Sequence, residues 1–107
     1  MLTYPLCDKT VTLYRQVGDA VQRWVLEGCY YRYMDCIQED RFVRKFVLFY
    51  PGKTEIRPGD RIFDGIGPER VVWAEFLPIA VAGLSQADYA APWYWEGKLR
   101  HWEAGRK

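Results

Sequence analysis

One histidine, three cysteines and a net charge of +1 leave this 107-residue chain short of the groups that most chemistry needs. The only imidazole, His101, lies between Arg100 and Trp102. A general base needs an orienting partner and a positioned substrate, so His101 reads as a surface or edge-strand residue. G-x-S-x-G, H-E-x-x-H and P-loop patterns are missing. Cys7, Cys29 and Cys36 are odd in number and contain no C-x-x-C. That excludes a fully paired disulfide framework within the chain and the close four-ligand spacing of zinc. They read as reduced thiols of a cytosolic product, with no base in sight to make Cys29 or Cys36 a nucleophile. Asp60 and Asp64 are too few oxygens for calcium and read as turn caps. The expectation is a chain with no enzymatic activity, cofactor or metal.

The charge balance also limits partners. Acids and bases are interleaved throughout, so no long-range attraction to phosphate follows from the sum, although a local basic face stays open. No apolar run approaches the roughly 18–20 residues that span a membrane. Met1 to Asp8 lacks the basic start and apolar core of a secretion signal. A soluble chain made in the cytoplasm, with no membrane partner, is expected.

What is present is apolar and aromatic: half the residues are apolar, with five Trp, eight Tyr and five Phe. A chain of this length forms one domain and buries roughly 60–70% of its unfolded surface. "IRPGDRIFDGIG", residues 56–67, sets the punctuation. Pro58, Gly59 and Asp60 make a turn, Ile62 and Phe63 a short strand, and Gly65 ends it. "KTVTLYR" from Lys9 reads as a strand. Val21 to Met34 reads as two strands bent or bulged at Gly28. Arg41 to Tyr50 is the strongest strand, with its second half buried on both sides. Pro68 to Pro78 has room for one short helix, Ile79 to Leu84 reads as a strand, Ser85 to Pro92 as a loop, and Tyr94 to Glu103 as a hairpin or bent strand. The fold class expected is all-β: one small barrel or sandwich over residues 1–107, with five to seven strands and at most one or two short helices. Residues 1–8 would be an extended arm and 104–107 a polar tail.

Two stretches suggest binding. Trp93, Tyr94 and Trp95 follow a small-residue loop and either fill the core or anchor a partner, with Trp93 and Trp95 sharing a face. Arg32, Arg41, Arg44 and Lys45 form either a solvated face or a contact with DNA or an acidic neighbour.

Five segments then occur in a telling order: "VTLYR", "RWVLEGCYY", "VLFYP", "RPGDRIFDG" and "RHWEAGRK". Thr12-Leu13-Tyr14 opens the set, Trp24 to Gly28 follows, Val47 to Pro51 ends the central strand, Pro58 to Gly65 makes the Gly-Asp turn, and His101 to Gly105 closes it. In this the chain resembles small virion proteins of tailed phages and prophages of Gram-positive bacteria, the minor capsid or head–tail connector proteins. Ala80 to Tyr94 does not match the pattern, and Gly28 to Asp40 follows it only loosely. It implies a structural role in the virion neck, assembly as a ring between portal and tail, contact with other neck proteins and weak contact with packaged DNA, and it brings no catalytic motif. On that view Trp93, Tyr94 and Trp95 would dock on a neighbour, with Leu2, Tyr4 and Pro5 as a second contact. An OB-type single-stranded nucleic-acid binder is the alternative, in which Tyr30, Tyr31, Tyr33 and the arginines would share an exposed face.

Overall fold

The computed structural model describes residues 7–106. It is all-β: seven antiparallel strands, β1 (Lys9–Val17), β2 (Ala20–Gln38), β3 (Arg41–Tyr50), β4 (Arg61–Asp64), β5 (Leu84–Gln86), β6 (Tyr89–Trp95) and β7 (Lys98–Arg106), form one sheet in the order β5-β4-β1-β2-β3-β7-β6. No helix occurs among the described residues. β2 is the spine. Its first half pairs with β1 and its second half with β3. Between the halves Gly28 takes φ +69, and the β1–β2 register slips between Lys9 and Val11. A left-handed residue bends a strand most cheaply where there is no Cβ. The segment therefore remains one bent 19-residue strand.

The end strands β5 and β6 are consecutive in the chain, joined by Ala87 and Asp88. That joint is tied to both flanks of the sheet. Ala87 N–H donates to the Asp60 carbonyl, Gly59 N–H to the Ala87 carbonyl and Asp88 N–H to the Gly105 carbonyl. The sheet consequently curls around an inner core of Val11, Leu13, Leu26, Cys29, Tyr31, Phe46, Leu48, Ile56 and Ile62. Tyr31 Oη and Ser85 Oγ share a buried hydrogen bond of 2.6 Å across this interior.

A second cluster lies on the other side of the sheet. Tyr14, Phe76 and Leu84 pack with Val21, Phe63, Val71, Trp73 and Val81. Residues 65–83 supply its cover. The sequence suggests a short helix after Pro68 and a strand from Ile79, but the segment forms separate turns instead. Phe76 N–H bonds to the Val72 carbonyl and Val81 N–H to the Leu77 carbonyl. Pro78 between them has no N–H to continue a ladder. Only Leu84 enters a strand. With both faces covered, all of Val11, Thr12, Leu13 and Tyr14 are buried.

Four side chains anchor the cover, one of them Arg23, which donates to the Gly67 and Pro68 carbonyls at 2.7 and 3.2 Å. Tyr14 Oη donates to the Pro68 carbonyl at 2.6 Å. Thr12 Oγ1 donates to the Gly65 carbonyl and accepts from Gly67 N–H. Arg61, only 6% exposed, donates from one terminal nitrogen to the Trp73 and Phe76 carbonyls, and its guanidinium carbon lies 3.7 Å from the Trp73 ring centroid. Burial lowers its pKa, and its Nε makes no hydrogen bond among the described residues.

At the 58–65 turn, Gly59 has φ +91 and Gly65 φ +93, while Pro58 is exposed. Asp60 is buried, accepts from Arg57 N–H at 2.8 Å and pairs with Arg15 through both oxygens at 2.6 and 2.8 Å. Three local expectations are overturned. Ser85 to Pro92 is not a loop but the joint of two strands, because Ser85 pairs with Ile62 and Pro92 with Trp102. Ala104 to Arg106 are no tail: they close β7, with Ala104 and Gly105 buried against β3 and β6. The second half of β3 is fully covered on one side only, with Leu48 at 0% exposure and Val47 and Phe49 intermediate.

Candidate interaction surface

Strand pairing decides which side chains share the outer face of the β2–β3–β7–β6 half. Tyr30 lies opposite Phe49, Arg32 opposite Val47, Met34 opposite Lys45 and Gln38 opposite Arg41. Phe49 faces Glu103 on β7, and His101 faces Trp93 on β6. Alternation along each strand puts Tyr30, Arg32, Met34, Arg41, Lys45, Val47, Phe49, His101, Glu103 and Trp93 on one side. No segment of the described chain covers this side.

Its rings form a continuous row. Trp93 lies nearly parallel to His101, with centroids 5.8 Å apart and planes 14° apart. His101 meets Phe49 edge-on at 5.6 Å, and Phe49 leans on Tyr30 at 5.7 Å. Arg32 ends the row over Tyr30 at 5.7 Å. Burial in this row lowers the His101 pKa, and Glu103 opposes the shift. His101 is thus an interior-strand residue packed among rings, not an edge histidine.

The proposed basic group divides. Arg32, Arg41 and Lys45 lie on the outer face. Arg44 points the other way and is 8% exposed. It bonds Asp35 at 2.6 and 3.1 Å and the Leu84 carbonyl at 2.7 Å. The hydrogen bond from Arg44 holds the Asp35 carboxyl below its usual range. Arg44 is a packing residue, and the alternation of β3 already separates it from Arg41 and Lys45. Tyr31 is likewise buried, at 3%, and so parts from Tyr30.

The β6–β7 hairpin carries the second feature. Glu96 and Gly97 take φ +53 and +74 at its tip, and the pairing register slips between Trp93 and Tyr94. The extra residue, Arg100, lies on β7, so β6 keeps its alternation and Trp93 and Trp95 share a face as expected, with Tyr94 on the other. Trp93, Tyr94 and Trp95 are 53, 62 and 65% exposed, so none of them fills the core. Leu2, Tyr4 and Pro5 lie outside the described residues.

Chemistry is sparse elsewhere. The three cysteines are free thiols. Burial pushes the Cys29 thiol up to about 12 and raises that of Cys7, which disfavours the nucleophilic thiolate. No group of His, Cys, Asp and Glu able to hold a metal ion occurs among the described residues, nor does any helix long and apolar enough to cross a membrane. Sequence reading missed the ring row and the Arg61 anchor. Tyr30, Phe49, Trp93 and His101 are spread over 72 positions of sequence, and no local signal joins them. Compared with models of known protein families, with curated proteins and with solved structures, the chain matches none.

Proposed function

We propose that this chain is a non-catalytic assembly module: a head–tail connector of a tailed-phage virion, placed in a ring between portal and tail and made in the host cytoplasm. One observation carries the reading. Half of the outer sheet surface is covered by the chain itself, and the other half presents a ring row and an aromatic tip to solvent. Bare aromatic patches of this kind are what protein partners cover. The order of the five sequence segments points the same way. Near-zero net charge keeps contact with packaged DNA weak and salt-sensitive.

The test is complementation of virion assembly with Trp93→Ala and Trp95→Ala. Folded variants should give fewer filled, infectious particles. Full titre from both would sink the docking role. A second reading has its own support: Arg32, Arg41 and Lys45 share the bare face with Tyr30 and Phe49, as on a single-strand platform. Against it, Trp93 already covers a face of His101 that a base would use. Tight binding of single-stranded DNA at physiological salt would replace the first reading with the second.

A further inference from the structure

The β2–β3 hairpin extends beyond its neighbours. β3 pairs with β7 only from Phe46 onward, so Arg41 to Lys45 have no strand on that side among the described residues. A groove of about 490 Å³ opens there. Its apolar wall is Phe42, Leu77, Pro78 and Ile79, and its rim carries Asp40, Arg41 and Arg106. Ile79, 72% exposed, faces solvent. The volume falls within the range of roughly 300–1,000 Å³ of sites that enclose small organic groups.

The β6–β7 tip is the converse. Tyr94 and Trp95 project into solvent, and neither ring packs on another among the described residues. Glu96 and Lys98 flank them. Register fixes where the two features lie. β7 meets Tyr50 at Trp102 and runs on past it to Lys98, while the groove lies at the Arg41 end of β3. Ten residues of strand, about 30 Å, separate them. One copy cannot fill its own groove.

We infer that the Tyr94–Trp95 tip of one copy docks in the Phe42–Leu77–Ile79 groove of the next, so that the chain associates head to tail. A second copy is the occupant because the two features are complementary and every copy carries both. The tip carries two rings with no cavity beside them, and the groove is a cavity with the single aromatic ring of Phe42 in its wall. Glu96 finds Arg41 and Arg106 on the rim, and Lys98 finds Asp40. A contact between unlike surfaces repeats and closes into a ring when its rotation permits. The inference rests on the connector reading for its setting. Two rings bury roughly 300–500 Å² on their side, so the isolated pair is weak and gains strength only by closure or on a template.

The experiment uses two full-length variants changed only at exposed positions: a tip variant, Tyr94→Ala with Trp95→Ala, and a groove variant, Ile79→Asp. Isotope-labelled tip variant is titrated with unlabelled groove variant to about 1 mM, and shifts are read by NMR. Saturable shifts are expected at Phe42, Val43, Leu77, Ile79 and Gln86. With the labels reversed they are expected at Tyr94 to Lys98. Each variant alone should show association weakened about tenfold or more relative to the unmodified chain. If the groove variant perturbs its folding, Arg41→Glu replaces it, paired with Glu96→Arg as the tip partner: each alone weakens association and the mixture restores it. No shifts in the mixture, or shifts confined to the bare outer face, overturn the contact; the latter leaves a ring possible through another surface. A mixed contact at the expected residues, with virions complete when either variant is supplied, retains the contact and overturns the connector role.

Discussion

The two halves of the sheet are built alike on the inside and differ on the outside. In the β5-β4-β1 half, residues 65–83 cover the outer face, and Tyr14, Phe76 and Leu84 are buried there. In the β3-β7-β6 half no segment among the described residues does so, and Trp93, Tyr94 and Trp95 stand more than half exposed. Trp73 on the covered side packs with Tyr14 and Phe76, whereas Trp93 and Trp95 on the uncovered side stand 53 and 65% exposed. Composition alone does not separate these roles. Position relative to the covering segment does.

The strongest way to break the contrast is to release the cover. Arg61→Ala should leave the buried Phe76 carbonyl without a donor, leave the Trp73 carbonyl only its 3.3 Å bond from Phe76 N–H, and remove the cation from the Trp73 ring, at a cost of about 3 kcal/mol. Urea unfolding measures the loss, and dye binding to newly bared apolar surface should accompany it. A change within error would show that the cover is held without Arg61. Next in size is a matched pair of substitutions. Trp73→Ala should cost about 2–3 kcal/mol, since it empties a packed site. Trp95→Ala should change stability by less than about 0.5 kcal/mol. Equal costs would erase the distinction between the halves.

The smallest effect is with pH, in the uncovered half. Hydrogen bonding to Arg44 lowers the Asp35 pKa in the folded chain. The folded state therefore binds this proton less readily than the unfolded one. The contribution is present above the unfolded carboxyl value of about 3.9 and is lost as pH falls through the lower folded value. Asp35→Asn should remove that part of the acid dependence. An unchanged acid-unfolding curve in this variant would show that the pair is not coupled to folding.

Much of this was legible locally. β-branched and aromatic alternation marked β1 and β3, and Pro58-Gly59-Asp60 marked the turn before β4. Gly28 announced a bend, and its left-handed φ supplies it. Misreadings fell where local signal is ambiguous. "IAVAGL" has the residues of a strand, yet a turn won there because Pro78 directly precedes it and Val81 packs onto the Tyr14 cluster while Ile79 and Ala80 face solvent. Ala90 and Ala91 carry little propensity, and pairing with β7 made them strand. The candidate surface was half visible: Trp93 to Trp95 stood out as a cluster, while the groove joins Phe42 to Ile79, 37 positions away in sequence.

By itself the sequence determined an all-β chain with marked turns, many rings and little catalytic chemistry, because turn residues and period-two patterns act over a few neighbours. Only the tertiary structure decided which rings are buried and which stand exposed. That choice depends on where residues 65–83 come to lie over the sheet, and on a strand register that sets the aromatic tip and the groove at opposite ends of β3. Both are contacts between distant residues, and no short stretch of sequence encodes them.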